Sequence, residues 1–394
     1  MSPEAGEGTP AASQDQETAR HKTARLTLVD RIYATRDRLL SQPSFQRWIA
    51  RFPLTRGFAQ RKERQVFDII AGFVHTKVLS AAVQLGLLDL LLEEGPLSPD
   101  EIQPRIGLDR DATERLLDAA LSLGIVSRRT GQRFGLGDVG ATVATTPALQ
   151  SIIAHNEIFY RDLVDPVAIL RHDLSQATLA RFWSYAHADE PAALQSESVR
   201  GYTAFMSASQ ALIAEDVLDA YPLARHRAVL DVGGGDGTFL LAAGTRHKDL
   251  ELILFDLPAV CETARPRLEA AGLAQRCRIV GGSFMTDPLP DGADVVVLNR
   301  VLLDHDDQTA LGILTSVFRT LPPGGRLLVA ETLCGRPAGD AYFGMYLMAM
   351  GRGRPRSIAA MRALLEAAGF GDIRQLPTYR TTLTNLVSAT RPSR

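Results

Sequence analysis

The sequence predicts an α/β protein, with a doubly wound parallel sheet in its C-terminal half behind a mostly helical N-terminal half of winged-helix outline. Three observations carry this. From Val229 onward, apolar runs ending in glycine or an acid alternate with helical stretches. The first run breaks into the glycine turn Asp231-Val-Gly-Gly-Gly-Asp-Gly237. Upstream, between 97 and 136, a capped helix start and a second helical stretch are followed by a short ribbon. The 394 residues are long enough for at least two domains, at roughly 100 to 200 residues each.

Bulk properties exclude more than they select. A formal charge of −2 gives no global attraction to nucleic acid. Cys261, Cys277 and Cys334 lack paired metal-type spacing, so neither zinc nor a disulfide framework is expected, and no metal is assigned. With no secretory signal they read as reduced thiols of a cytoplasmic chain. No run reaches 18 uninterrupted apolar residues, so the expectation is a soluble or at most peripheral protein.

Taken in order, residues 1–19 are small and polar, rich in Gly and Pro, and read as a disordered tail. Residues 20–64 read as a basic helical extension: between 18 and 64, twelve Lys and Arg stand against three acids. Such a segment either lies on an anionic membrane surface or packs on a partner subunit with its charges in water. From Phe67 to Leu92 the helical pattern is apolar all round, which suits a core or a dimer interface.

Leu97-Ser-Pro-Asp-Glu-Ile102 is a capped helix start. A second helix over 108–124 and a ribbon over 125–136, turning at Thr130-Gly131, complete the winged-helix outline. That outline raises DNA binding, and the charges argue against it. The would-be recognition helix sets Arg110 and Arg115 against Asp109, Asp111, Glu114 and Asp118, whereas DNA affinity rests on cations. No nucleic-acid partner is expected. Residues 140–200 read as helical and concentrate His155, Phe159, Tyr160, Phe182, Trp183, Tyr185 and His187. Aromatics at such spacing are more often ordinary core, and the alternative is the lining of an apolar substrate pocket. Together, 65–200 form the dimerisation and pocket domain and 201–394 the Rossmann-like domain.

Glycines at 233, 235 and 237 let backbone amides approach a ligand at a helix N-terminus. The dinucleotide fingerprint would need glycine at 238, where the chain has Thr238. A nucleoside cofactor without a pyrophosphate is the nearer reading. S-adenosylmethionine fits, its ammonium suiting Asp231 and its carboxylate the loop amides; a Gly-rich turn between any strand and helix would look the same. Strands over 252–256, 277–284, 293–299 and 326–331, with a helix over 307–321, continue the alternation. Asp256 ends the strand after the glycine turn, where a carboxylate accepts both ribose hydroxyls or caps the next helix.

At this point the chain resembles, from Phe67 to its end, the small-molecule O-methyltransferases that use S-adenosylmethionine and dimerise through a winged-helix-type N-terminal domain. The matching stretches are the glycine turn, Phe255-Asp-Leu-Pro258, Gly281-Gly-Ser-Phe284, Arg300-Val-Leu-Leu-Asp-His-Asp306 and Leu321-Pro-Pro-Gly-Gly325. More narrowly, Arg36-Asp-Arg-Leu-Leu40, Asp219-Ala-Tyr-Pro-Leu-Ala-Arg-His226, Gly339-Asp-Ala-Tyr-Phe-Gly344 and Gly353-Arg-Pro-Arg-Ser357 are similar to the hydroxycarotenoid O-methyltransferases of purple photosynthetic bacteria. Those enzymes methylate the tertiary 1-hydroxyl of acyclic carotenoids such as 1-hydroxyneurosporene and demethylspheroidene.

The resemblance implies a homodimer with a lipophilic substrate, cytoplasmic and peripheral on the inner, photosynthetic membrane through residues 20–64. It implies Gly233 and Gly235 at the cofactor's methionine end, Asp256 at its ribose, Ser283 and Phe284 at its adenine, Asn299 where relatives often have a Lys, and Met206 against the sulfonium. Glu331 stands where relatives place the carboxylate that orients a catalytic histidine. Two positions depart from the pattern. Ser283 replaces the usual Asp, and a neutral acceptor makes a weaker bond. Leu303-Asp304 replaces the His-Asp pair, and leucine takes no proton. Three readings follow: transfer by alignment alone, a base at His305 or Asp304 from a shifted turn, or a copy that binds cofactor without transfer. Methylation of a phenolic or tetrapyrrole small molecule by the same fold is the alternative activity.

Overall fold

The computed structural model describes residues 27–183, 209–335 and 337–393. The tail at 1–19, Tyr185, His187 and Met206 lie outside them. The chain divides into two units, 1–77 and 78–394.

In the first unit, α1 (Leu28–Leu40) starts at a reciprocal cap: Asp30 N donates to Thr27 Oγ1 at 3.1 Å and Thr27 N to Asp30 Oδ2 at 2.9 Å. α2 (Pro43–Arg51) and α3 (Pro53–Gln84) each begin on a proline, whose missing N–H is not needed in the first turn. Phe52, extended at φ −75 and ψ 124, is pushed out of helical geometry by Pro53 and separates them. No residue of α1 or α2 is buried. Phe45, Trp48 and Phe52 stack in a row, with centroids 5.8 and 5.3 Å apart.

α3 passes 64 without a break, so the change in charge there marks no structural boundary. It is long and apolar enough, by length and composition, to cross a bilayer. The run-length rule missed this because Asp68, His75 and Lys77 interrupt the apolar sequence. An interface helix passes the same test. Its pattern ends at Gln84 rather than Leu92, because Gly86 turns left-handed at φ 67 and starts α4 (Leu87–Glu94).

The second unit opens with the winged-helix outline: α5 (Pro99–Ile106), α6 (Arg110–Ser122), β1 (Val126–Arg128) and β2 (Phe134–Leu136), the last two antiparallel. Leu87, Leu91, Ile102, Leu117, Ile125 and Phe134 form its core. α7 (Asp138–Ala144), α8 (Pro147–Asp162), α9 (Pro166–Leu170) and α10 (Thr178–Phe182) follow.

A helix over 209–220, here α11, leads into the sheet. Its strands are β3 (Ala228–Val232), β4 (Glu251–Asp256), β5 (Cys277–Gly281), β6 (Val295–Asn299), β7 (Arg326–Glu331), β8 (Gly371–Leu376) and β9 (Asn385–Thr390). The order is β5-β4-β3-β6-β7-β9-β8. The first five are parallel, as expected, but β9 runs antiparallel to both β7 and β8. This mixed edge corrects the all-parallel expectation. Polar Asp372, Arg374 and Gln375 had hidden β8 as a strand.

All five residues of β3 are buried. Successive side chains point to opposite faces: Leu230 and Val232 join α14 (Asp307–Thr320) and α16 (Ile358–Ala367), while Val229 joins α11, α12 (Thr238–Arg246) and α13 (Pro258–Ala270). α15 (Pro337–Met350) lies instead with α8 and α10. Strand order reverses between β3 and β6, and a ligand crevice belongs at the carboxyl ends of those two strands.

The helical layer makes a test of the packing. A Cβ at Gly140 in α7 would fall on the carbonyl oxygen of Ile125. Gly140→Ala should gain ~1 kcal/mol of helix propensity and lose about 1–3 kcal/mol to overpacking against rigid backbone. Net destabilisation by denaturant melting is expected; a stabilised variant would refute the packing.

Candidate active site

The turn after β3 is built from three left-handed glycines, with φ of 70 at Gly233, 60 at Gly235 and 78 at Gly237. A side chain at 233 would press on Val301 Cγ2 at 2.9 Å. Gly233 N donates to Phe255 O at 2.8 Å, which ties the turn to β4. Asp256, at the end of β4, accepts from Gly235 N at 2.8 Å and Leu257 N at 2.7 Å. Burial pushes its carboxyl up to about 6 against those two donors.

Asp231 is fully buried, and neither carboxylate oxygen has a hydrogen-bond partner among the described residues. Burial, then the nearby Asp256, raise its pKa well above the carboxylate range. Asn299, at the end of β6, is 3% exposed, and both its side-chain polar atoms are likewise unpartnered among the described residues. Its amide stands beside the Asp231 carboxyl without meeting hydrogen-bond geometry. Orphaned buried polar groups are costly. Here they converge where the switch point places a ligand, and an ammonium is the donor such a carboxylate lacks. The chemistry of the donor set therefore fits the methionine end of S-adenosylmethionine.

Ser283 and Phe284 follow β5. Ser283 N donates to Asp287 Oδ2 at 2.8 Å, and its hydroxyl accepts from Met285 N at 3.3 Å. Phe284 lies close to the glycine turn, 3.8 Å from where a Cβ on Gly233 would stand. The residues assigned to methionine, ribose and adenine ends thus sit on successive strand ends, except Met206, which lies outside the described residues.

The turn after β6 decides the chemistry. Leu303 is 5% exposed and packs with Phe159, Trp183 and Tyr346. Its N–H donates to Glu331 Oε1 at 3.0 Å. Burial pushes Glu331 up to about 8, against the field of Arg356. Asp304 is pushed to about 7 by burial, with Arg300 pulling it down. The His305 ring meets Phe284 edge-on at 5.6 Å. Burial, helped by Arg352, lowers it to about 4, so it is neutral at physiological pH.

The apolar cluster around Leu303 joins α8, α10 and α15. Tyr346 Oη accepts from Trp183 Nε1 at 2.9 Å and bonds His155 Nε2 at 2.6 Å. Tyr342 stacks on Tyr346 at 5.8 Å and donates to Asn156 at 2.7 Å. Sequence reasoning noted His155, Phe159 and Trp183 but missed Tyr342 and Tyr346. Their i,i+4 spacing, one face of a helix, was the available signal. Arg300 and Arg356 were also missed.

Glycine turn, orphaned carboxylate, acid at the end of β4 and a helical domain closing on the turn after β6 define an S-adenosylmethionine-dependent methyltransferase. The chain matches the O-methyltransferase domain over residues 160–371 and the O-methyltransferase dimerisation domain over 67–146. It belongs to the O-methyltransferase family, and its dimerisation domain supports a homodimer. It is 41% identical over 360 residues to the demethylspheroidene O-methyltransferase of Cereibacter sphaeroides, covering 90% of this chain and 94% of that one. It is 38% identical to the enzyme of that name from Rhodobacter capsulatus, covering 86% and 85%. Among solved structures, the S-adenosylmethionine-dependent methyltransferase SibL aligns with a TM-score of 0.72 at 26% identity, over 83% of this chain and 99% of that one.

Protonation of Asp256 gives a test of the cradle. Its raised pKa means the acid keeps its proton up to about 6, and the ionised acceptor for ribose hydroxyls exists above that. S-adenosylhomocysteine affinity should fall as pH drops through about 6, by up to about tenfold per pH unit. Calorimetry from pH 5 to 8 checks this, and Asp256→Asn should lower the affinity and remove the step near 6, leaving only the dependence carried by Asp231. A pH-independent affinity in the unsubstituted protein would remove Asp256 from the cofactor.

Proposed function

We propose that this chain transfers the methyl group of S-adenosylmethionine to the tertiary hydroxyl of an acyclic hydroxycarotenoid. The observation that carries it is the 41% identity to a demethylspheroidene O-methyltransferase along nearly the full length of both chains. The apolar surroundings of Leu303 support a lipophilic substrate: Phe159, Trp183, Tyr346, Leu347 and Met350 are all buried around it.

Bound S-adenosylmethionine supplies an electrophilic methyl on a sulfonium. Asp231 and the turn amides would hold its amino-acid end, Asp256 its ribose, and Ser283 with Phe284 its adenine. The chain's own contribution to the transfer is alignment. The turn after β6 holds the Leu303 side chain in the apolar cluster, and attack on a positioned methyl gains much from fixing the reactants. A base is not essential before attack, because the protonated ether formed afterwards is a far stronger acid than the alcohol. Burial lowers His305 to about 4, so its ring is a weak base, which favours this reading over a shifted base.

Incubation of the protein with labelled S-adenosylmethionine and a 1-hydroxycarotenoid in detergent, then chromatography, should give a labelled methoxy carotenoid. Label found only on phenolic or tetrapyrrole acceptors would overturn the carotenoid reading, and no label on any acceptor would leave a binding protein. In the same assay His305→Ala should cost no more than about tenfold in kcat, against the roughly 10² to 10⁴ a general base contributes. Leu303→His should introduce a rise in rate with pH near the ordinary imidazole pKa. A loss beyond 10² in His305→Ala would restore His305 as the base.

A lipophilic substrate also gives the first unit a role on membrane. Nine Lys and Arg (31, 36, 38, 47, 51, 56, 61, 62, 64) against Asp30, Asp37 and Glu63 lie between 27 and 64. Leu28, Ile32, Trp48 and Phe58 are more than half exposed among them. Cations beside exposed aromatics suit peripheral docking on anionic lipid. Removing residues 1–60 should abolish flotation with anionic liposomes; unchanged flotation would refute the docking.

A further inference from the structure

Arg356 is 2% exposed and stands among the largest fully buried side chains. Its guanidinium spends its donors on one short segment. Nη1 donates to Leu302 O at 2.6 Å, Nη2 to His305 O at 2.7 Å, and Nε to Asp307 Oδ1 at 2.9 Å. The backbone just before it grips the same turn, since Arg354 N donates to Leu303 O at 3.1 Å. Gly353, left-handed at φ 81, lies so close that a Cβ there would fall on Leu303 O. From the other side, Glu331 accepts from Leu303 N. Arg356 is itself anchored to the strand end, because its carbonyl accepts from Cys334 N at 2.8 Å. The peptide groups of residues 302–305 are therefore held on both flanks, and the only side-chain cation donating to them is Arg356 among the described residues.

We infer that Arg356 is a positioning residue for methyl transfer: its planar fork fixes the turn 302–307, and so sets Leu303 and Asp304 at the reacting centre. The inference rests on the alignment reading of the transfer step. A site without an imidazole at 303 depends on where this turn stands, and a misplacement of about 1 Å can cost about 10² in rate. Three acceptors lie in the directions of a guanidinium fork, which a lysine ammonium does not reproduce.

Arg356→Ala should lower kcat about 10²-fold while the KM for the carotenoid and the affinity for S-adenosylhomocysteine change less than about threefold, since the cradle of Asp231 and Asp256 is untouched. Added guanidinium should restore at least a tenth of the lost rate, and ammonium should not. Arg356→Lys should remain near the Ala variant. A readout independent of the substrate is amide exchange: residues 302–307 should exchange at least tenfold faster in Arg356→Ala while the cores of β3 and β6 keep their protection. Should Arg356→Ala fail to fold, Gly353→Ala, which displaces the same turn from outside, takes its place in both measurements. Unchanged exchange over 302–307, or a lowered cofactor affinity with kcat retained, would overturn the inference. Faster exchange without methylation of a carotenoid by the unsubstituted protein would instead sink the substrate assignment and leave the clamp standing.

Discussion

The structure depends on a buried carboxylate left without a hydrogen-bond partner among the described residues. Asp231 is next to last in the fully buried strand β3, between β4 and β6, with both oxygens unpartnered among the described residues. A buried, unpaired charge is unfavourable, and burial together with the nearby Asp256 raises the pKa of Asp231. Two neighbours leave that place open. Gly234 has no side chain to occupy the space, since a Cβ there would stand 2.9 Å from Asp231 Oδ2. Asp256, which would compete for the same cation, is engaged by two backbone donors. The sheet supplies the rigidity that keeps Asp231 from relaxing toward a partner.

Charge complementarity explains the binding half of the site, and the transfer half follows a different principle. Where an imidazole would draw the proton from an acidic phenol, Leu303 extends an apolar wall. A tertiary alcohol is a weak acid that no histidine would ionise before attack, so removing the base costs such a substrate less than it would cost a phenol. The same exchange removes a polar atom that a polyene would otherwise have to bury. Glu331, left without an imidazole to orient, accepts the Leu303 N–H instead and joins Arg356 in fixing the turn.

Much of this was legible in the sequence because it lies in local patterns. The glycine turn, Asp256, Asn299 and the Leu303-Asp304 substitution each sit at a strand end that apolar runs made visible, and the winged-helix outline followed from caps and a ribbon. What stayed hidden depends on contacts distant in sequence. Tyr346 meets His155 and Trp183 across 191 and 163 residues. Arg356 grips a turn about 50 residues upstream, and an arginine among several in Gly353-Arg-Pro-Arg-Ser357 carries no mark of being the buried one. β8 was invisible for another reason: an edge strand beside an antiparallel neighbour tolerates polar residues on its open side. His305 and Asp304 were legible as candidate bases from the motif, but the contact of the His305 ring with Phe284 was not, because Phe284 lies on the turn after another strand.

The first unit divides by charge in a way that its helical pattern does not reveal. From 65 to 76, α3 carries one charged side chain, Asp68, and exposes Val66, Phe67, Ile69, Ile70 and Phe73. Such a surface is covered at little desolvation cost, and the dimerisation domain begins within it, at 67. From 27 to 64 the exposed apolar residues are interleaved with nine cations. Covering that stretch with a second copy would bring like charges together, because a two-fold interface presents the same patch twice. An anionic lipid surface has no such conflict, since its charges are mobile and meet arginines wherever they lie. Electrostatics thus separates adjoining parts of one helical unit that hydrophobicity alone would have merged.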